Sequence, residues 1–208
     1  RNHKPQNRIL FAPSWRKYLT TEIKASNWEA NEDRIRKSDY YKNFYAFLSD
    51  KTLHRKLESS KVFLDIKLHP IIANLKNLFD IDCEYINMVS GDVDVADYKA
   101  FVTDFSSYVF DFAYLNRPIM YFVPDYPQFK SGMNHYRDLD LPFDEAFGHM
   151  FTDAHKAAEC LCEIVDRDFV PEQIYAERME NFYFDFDGNC AENLYKFVVE
   201  QDKLFSQQ

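Results

Sequence analysis

Glycine is scarce in this sequence. The 208 residues hold four, Gly91, Gly132, Gly148 and Gly188, and no two lie close together. This excludes the P-loop and the G-x-G-x-x-G dinucleotide fingerprint, both of which need clustered glycines to bring main-chain N–H groups onto phosphate. Any phosphate bound here is held by another device. Positive charge is also short: 25 Lys and Arg face 34 Asp and Glu, a formal net of −9. A general nucleic-acid binder needs a basic footprint, so no nucleic-acid partner is expected. No apolar run approaches the ~20 residues of a membrane span. Neither an initiator Met nor a signal-peptide core is present behind Arg1, and the sequence reads as a piece of a longer polypeptide. The four cysteines, Cys83, Cys160, Cys162 and Cys190, show no C-x-x-C and no Cys/His metal spacing. They read as reduced, mostly packed thiols of a cytoplasmic protein, and no metal site is expected.

What is present is apolar and ring-rich. Hydrophobic residues make up 46% of the chain, with 20 Phe and 14 Tyr, enough for a sizeable core in one domain. Short apolar runs alternate with helix-like segments. Strands are expected at 8–13, 62–68, 85–89, 100–103 and 119–123, with a short edge strand at 148–152. Helices are expected at 40–58 as one amphipathic element, at 71–79, at 108–115, at 154–165 behind an Asp153 cap, and from Asn189 behind an Asn-Cys-Ala-Glu capping box. Residues 14–39 read as a long loop and 124–145 as a turn-rich loop. Strands alternating with helices give an α/β fold, a Rossmann-like doubly wound parallel sheet in the order 3-2-1-4-5. The whole of 1–208 is then one nucleotide-binding domain, with the final helices, 171–208, packing back on it.

In such a sheet ligands bind beyond the carboxyl ends of the strands, where strand order reverses. Three segments should meet there. Ser14, Trp15 and Arg16 follow the first strand and offer an indole face and a guanidinium fork. Lys67 and His69 alternate onto one side at the end of the second, an ammonium beside an imidazole suited to phosphate or to acid–base work. Asp104, Ser106 and Ser107 lie between the fourth strand and its helix, where unpaired first-turn N–H groups and hydroxyls make an anion site without glycine. Asp111, inside an apolar helix, calls for a partner such as a loop main chain or Arg117. Ser131, Asn134, His135, Tyr136 and Arg137 lie on a loop placed to close over a ligand. Asp185, Asp187 and Asn189 read as a turn feeding a helix cap, not a metal cluster. A receiver domain is excluded, because the first strand ends in Pro13-Ser14 where acidic residues would be needed.

Taken in order, Ala12-Pro13-Ser14-Trp15-Arg16, Lys67-Leu68-His69-Pro70, residues 103–113 (TDFSSYVFDFA), Arg117-Pro118-Ile119-Met120-Tyr121 and the tail 186–192 (FDGNCAE) resemble the CDP-glycerol glycerophosphotransferase family, which includes teichoic-acid polymerases and capsule-polymer synthases. The resemblance spans nearly the whole chain. It implies the nucleotide-binding, C-terminal half of a GT-B-type two-domain enzyme, which moves glycerol-phosphate or another polyol-phosphate from a CDP-alcohol to a growing cell-surface polymer and releases CMP. It implies His69 as a residue needed for activity, with Ser106, Ser107 and Arg16 near the donor diphosphate and Asn134 and Tyr136 on a loop that departs from the family's basic pattern. The partners implied are CDP-glycerol or a similar CDP-polyol, a polymer acceptor and the N-terminal half of the same polypeptide, at the inner face of a bacterial membrane. The CDP-alcohol is a substrate; no cofactor is implied and Mg2+ is not indicated. Two other readings compete: a GT-B glycosyltransferase using a nucleotide-sugar, and a nucleotide-binding fragment without catalysis of its own.

Overall fold

The computed structural model describes residues 3–24, 27–133, 139, 141–183 and 189–205. The chain opens with β1 (Arg8–Ala12), a 3-10 turn at Lys17–Leu19, and a hairpin of β2 (Thr20–Lys24) and β3 (Asn27–Ala30). Three helices follow, α1 (Glu32–Lys37), α2 (Asp39–Leu48) and α3 (Lys51–Ser60), then β4 (Phe63–Lys67), a 3-10 segment Ala73–Phe79, β5 (Ile86–Val89) and a 3-10 turn Val95–Asp97. The second half runs β6 (Ala100–Thr103), α4 (Tyr108–Tyr114), β7 (Ile119–Phe122), α5 (Tyr126–Lys130), β8 (Met150–Phe151), α6 (Ala154–Asp166), α7 (Gln173–Phe182) and α8 (Cys190–Phe205).

Six strands form one sheet in the order β5-β4-β1-β6-β7-β8, every pairing parallel. This is the expected doubly wound order with the short edge strand added. Each central strand is buried on both faces and splits its residues between two cores by simple alternation. Ile9, Phe11, Leu64, Ile66, Val102 and Phe122 enter one core; Leu10, Ala12, Phe101, Ile119, Tyr121 and Val123 enter the other. Helices α2, α3 and α6 cover the first face and α4 and α7 the second.

Several segments differ from the sequence reading. The helix expected at 71–79 is the 3-10 segment Ala73–Phe79, and the loop expected at 124–145 holds α5. The helix expected over 40–58 is two helices, because the Asp50 carboxylate accepts from Thr52 N–H (2.7 Å) and Leu53 N–H (3.0 Å) and so caps a second start. The long loop of 14–39 holds the β2–β3 hairpin and α1. The Asn31 side chain caps α1 at Arg34 N–H (3.0 Å), and the hairpin is too short for its alternation to show. The tail is also divided. Helix α7 packs on α4, with Phe182 5.6 Å from Phe110, whereas α8 leaves Leu194, Tyr195, Phe197 and Val198 more than half exposed rather than packing back.

A polar cluster interrupts the second face. Asp65, fully buried in mid-strand, faces Arg8 Nη1 (2.5 Å) and accepts from Asn87 Nδ2 (3.1 Å). Burial, reinforced by Asp65, pushes the Tyr98 hydroxyl up to about 12. The charge is therefore paired and hydrogen-bonded, as a buried carboxylate must be.

One glycine is fixed by close approach. A Cβ on Gly148 would stand 1.8 Å from the Ile119 carbonyl oxygen, a main-chain atom that cannot swing away. Gly148→Ala is expected to lower unfolding stability by about 2–3 kcal/mol, as overpacking does. Equilibrium denaturation would read this as a lower midpoint at unchanged slope.

Candidate functional site

The carboxyl ends of β1, β6 and β7, three neighbouring strands, are tied by one guanidinium. Arg16 follows β1 and is 1% exposed. Its Nε and Nη2 donate to the two oxygens of Asp125, beyond β7, at 2.6 and 2.8 Å. Its Nη1 lies 2.7 Å from Asp104 Oδ2, beyond β6, and donates to Ser14 O at 3.0 Å. The plane is packed between the rings of Tyr40 (4.8 Å) and Phe105 (5.1 Å). The carboxylates are supplied with further donors: Tyr18 OH to Asp125 (2.7 Å), and the Ser14 and Phe105 N–H groups to Asp104 Oδ1 (2.8 and 2.5 Å). Burial works against the Arg16 charge, but Asp104 and Asp125 outweigh it and hold the group above its ordinary range. Burial likewise opposes the Asp125 charge and is overcome by Arg16 and Tyr18, so that carboxyl sits below its usual value.

This corrects the reading of Arg16 as a phosphate fork. Its donors are spent inside the protein, and with Asp104 it is a strut beneath the site. Sequence reasoning missed Asp125, Tyr18 and Tyr40; the one available signal was an Asp directly after a strand end, in Val123-Pro124-Asp125.

Beside the strut a cleft of about 250 Å³ opens at the ends of β6 and β7, walled by Phe105, Ser106, Ser107, Tyr121, Leu141 and Phe143. The sequence reading expected bare first-turn N–H groups on α4, but these are paired. Tyr108 N–H goes to Ser106 Oγ (3.3 Å), Val109 N–H to Ser106 O (3.2 Å) and Phe110 N–H to Ser107 O (3.1 Å). What stays open among the described residues is one step earlier: the Ser106 and Ser107 N–H groups and the exposed Ser107 hydroxyl. Ser106 Oγ, accepting from Tyr108, keeps its own proton to donate.

His69 stands beyond β4, next to β1, half-buried against Trp15 with ring centroids 6.0 Å apart. Nδ1 accepts from Ile71 N–H at 3.3 Å. Burial, then the charge of Lys67, holds the ring below its ordinary pKa. A neutral ring with Nδ1 accepting carries its proton on Nε2, which has no partner among the described residues. Lys67 does not share a cavity with His69: Nζ donates to Gly91 O (2.7 Å) and lines a separate cleft of about 410 Å³ with Lys76, Met88 and Ser90.

The remaining candidates disperse. Asp111 is exposed on α4, so its carboxylate is hydrated and has no need of a buried partner. Arg117 instead donates to the carbonyls of Val95 (3.0 Å), Ala96 (2.7 Å) and Tyr98. Ser131 is exposed and donates to Gln128 O (2.7 Å). Asn134, His135, Tyr136, Arg137, Asp185 and Asp187 lie outside the described residues. No group of three metal-ligating side chains occurs among the described residues.

A doubly wound parallel sheet whose strand ends carry an apolar cleft, open main-chain donors and an imidazole defines a domain of the open α/β class, in which ligands bind at that edge. The comparisons make this specific: residues 2–200 match the model of the CDP-Glycerol:Poly(glycerophosphate) glycerophosphotransferase family, and the chain belongs to that family. It is 22% identical over 211 residues to the minor teichoic acid biosynthesis protein GgaB of Bacillus subtilis (strain 168), covering 95% of this chain and 22% of that protein. It is 27% identical over 185 residues to the teichoic acid poly(glycerol phosphate) polymerase of Staphylococcus epidermidis, covering 84% and 22%. The fold is like that of the wall teichoic acid polymerase TagF, with a TM-score of 0.58 at 20% identity over 96% of this chain and 45% of that one. The chain thus spans about a fifth of these two curated relatives and under half of the solved polymerase chain.

Arg16→Ala would leave two buried carboxylates facing each other, and a loss of about 3–5 kcal/mol is expected from denaturant unfolding. Arg16→Lys, which cannot span Asp125 with two bonds, should recover only part of it. Because the folded Asp125 pKa is depressed, its contribution is complete above the unfolded value of about 3.9 and lost as pH falls through the folded one. Arg16→Ala should therefore flatten the loss of stability on acidification below about pH 4.

Proposed function

We propose that this chain is the donor-binding part of an enzyme that transfers glycerol-phosphate, or a related polyol-phosphate, from a CDP-alcohol to a hydroxyl of a growing cell-surface polymer. The acceptor oxygen forms a bond to the phosphorus that bears the polyol, the bond from that phosphorus to the bridging oxygen breaks, and CMP leaves with the electron pair. The acceptor's proton goes to a base that we assign to the other half of the cleft. The observation that carries this reading is the alignment of His69, Trp15 and the Ser106–Ser107 pair along the ends of the adjacent strands β4, β1 and β6 in a chain of this family. Strands lie about 4.8 Å apart, so one diphosphate ester can reach from the serines toward the imidazole.

The roles follow from the donors. The Ser106 and Ser107 N–H groups and hydroxyls offer hydrogen bonds to diphosphate oxygens, and the apolar cleft offers a place for the nucleoside. His69, neutral with its proton on Nε2, donates to a non-bridging oxygen or to the departing CMP; as a base it would have to surrender the Ile71 hydrogen bond first. Positioning and charge stabilisation dominate such a step. That the wall teichoic acid polymerase has been solved after soaking with CDPG supports the choice of donor. Teichoic acid or capsule, and glycerol or another polyol, remain alternatives within this one reaction class. No helix among the described residues is long and apolar enough to cross a membrane. A net charge of −9 is repelled by anionic headgroups, so we place contact with the inner membrane face in other parts of the polypeptide, along with the second half of the cleft.

Calorimetry with CDP and CMP tests the site. Ser106→Ala should weaken CDP binding about tenfold, the worth of one hydrogen bond to a charged group. His69→Ala in the full-length enzyme should lower kcat by at least about 100-fold. Because burial depresses the His69 pKa, the ring is neutral at pH 7; protonation of Nδ1 would break the Ile71 hydrogen bond that orients the ring, so activity should fall only on acidification below about 6.5. Unchanged CDP affinity in both variants, or preference for a UDP-sugar, would overturn the assignment.

A further inference from the structure

The chain has two tryptophans, and both lie in one run of rings that ends on His69. Trp15 is 6.0 Å from the imidazole, tilted by 35°. Trp28, on β3, is 6.1 Å from Trp15, tilted by 41°. Lys17 Nζ lies over the Trp28 ring, 4.8 Å from its centroid. The root of the hairpin is fixed: Leu19 is buried, Asn31 N–H donates to Leu19 O (3.1 Å), Thr20 Oγ1 to Lys17 O (2.8 Å) and Arg34 Nη1 to Thr20 O (3.2 Å).

We propose that the β2–β3 hairpin is the brace of the proposed catalytic imidazole: Trp28 holds Trp15 against His69, and through it sets the direction of Nε2. The inference rests on the reading that His69 acts in the transfer. His69 itself is oriented by one hydrogen bond of 3.3 Å, from Ile71 N–H to Nδ1. A single long bond leaves the ring free to rock about it, and a ring-plane contact removes that freedom. Trp15 supplies the contact but is only partly buried, so it needs support from a further neighbour, and Trp28 lies 6.1 Å from it. An error of about 1 Å in a catalytic donor can cost about 100-fold in rate, so a brace two side chains away from the reacting atoms is felt in kcat. Trp28 is thus a positioning residue. Among the charged groups around this run, Lys67 on β4 bears on the His69 cation directly, and Lys17 packs over Trp28.

The test compares Trp28→Ala and Trp28→Phe with the parent in two measurements. One is the NMR titration of the His69 ring in this chain; the other is turnover of CDP-glycerol by the full-length enzyme. Trp28→Ala should move the His69 midpoint up toward the ordinary value of about 6.5 and lower kcat about tenfold, with KM for CDP-glycerol held within about twofold. Trp28→Phe, which keeps a ring against Trp15, should restore both. An unmoved midpoint with unchanged kcat overturns the brace, and so does a rise in KM at constant kcat, which would make Trp28 a substrate contact. If His69→Ala keeps full turnover, the function of His69 fails while the midpoint shift still decides the brace.

Discussion

The geometry of this site depends on one buried cation. Arg16 reaches Asp104 and Asp125 at once, so the segments leaving β1, β6 and β7 cannot move apart without exposing an unpaired charge to a dry interior. A buried ion cluster is a poor source of net stability, since apolar groups of the same volume often do as well. What it adds is direction. Asp104 Oδ1 receives the main-chain N–H groups of both Ser14 and Phe105, so two loops from distant parts of the chain are held in register, and Ser106 and Ser107 follow immediately. In dinucleotide folds glycines let the main chain approach phosphate. In this glycine-poor chain a salt-bridged strut holds the main chain in place instead.

The strand framework was legible because the central strands are buried on both faces. Phe101-Val102 and Ile119-Met120-Tyr121-Phe122 are unbroken apolar runs, and parallel sheets require such runs. The missed boundaries were set by single side chains. Asp50 splits an amphipathic stretch that is otherwise continuous in pattern, and Asn31 starts a helix of only six residues. Hydrophobic periodicity averages over several turns and is blind to one carboxylate that redirects two N–H groups.

The site residues were legible by place more than by role. Ser14, Trp15, His69, Ser106 and Ser107 do lie at the strand ends where the topology puts a ligand. Arg16 was misjudged because a guanidinium fork fits a carboxylate as well as a phosphate, and its partner Asp125 is 109 residues away in sequence. Asp111 was misjudged in the opposite sense. Its helix looks apolar all round, but Phe110 and Tyr114 are themselves nearly 40% exposed and packed against α7, so the carboxylate between them meets water. The signal that would have separated these cases is long-range contact, which one sequence does not carry.

The charge balance around the cleft bears on how the proposed reaction is divided between parts of the enzyme. Arg16 carries one positive charge against two carboxylates, so the strut is net negative by one, and the donors that face the cleft among the described residues, the Ser106 and Ser107 N–H groups and hydroxyls, are neutral. His69 is neutral as well while Nδ1 accepts from Ile71, and Lys67 is turned to the Gly91 carbonyl in another cleft. Neutral donors can orient a diphosphate, but they do not neutralise it, and in-line transfer at phosphorus develops charge on the equatorial and leaving oxygens. On the proposed reading, then, the described residues supply register and hydrogen bonding, and the countercharge comes from outside them. Countercharge supplied in this way is of most use to catalysis where it acts on the transition state more than on the bound substrate.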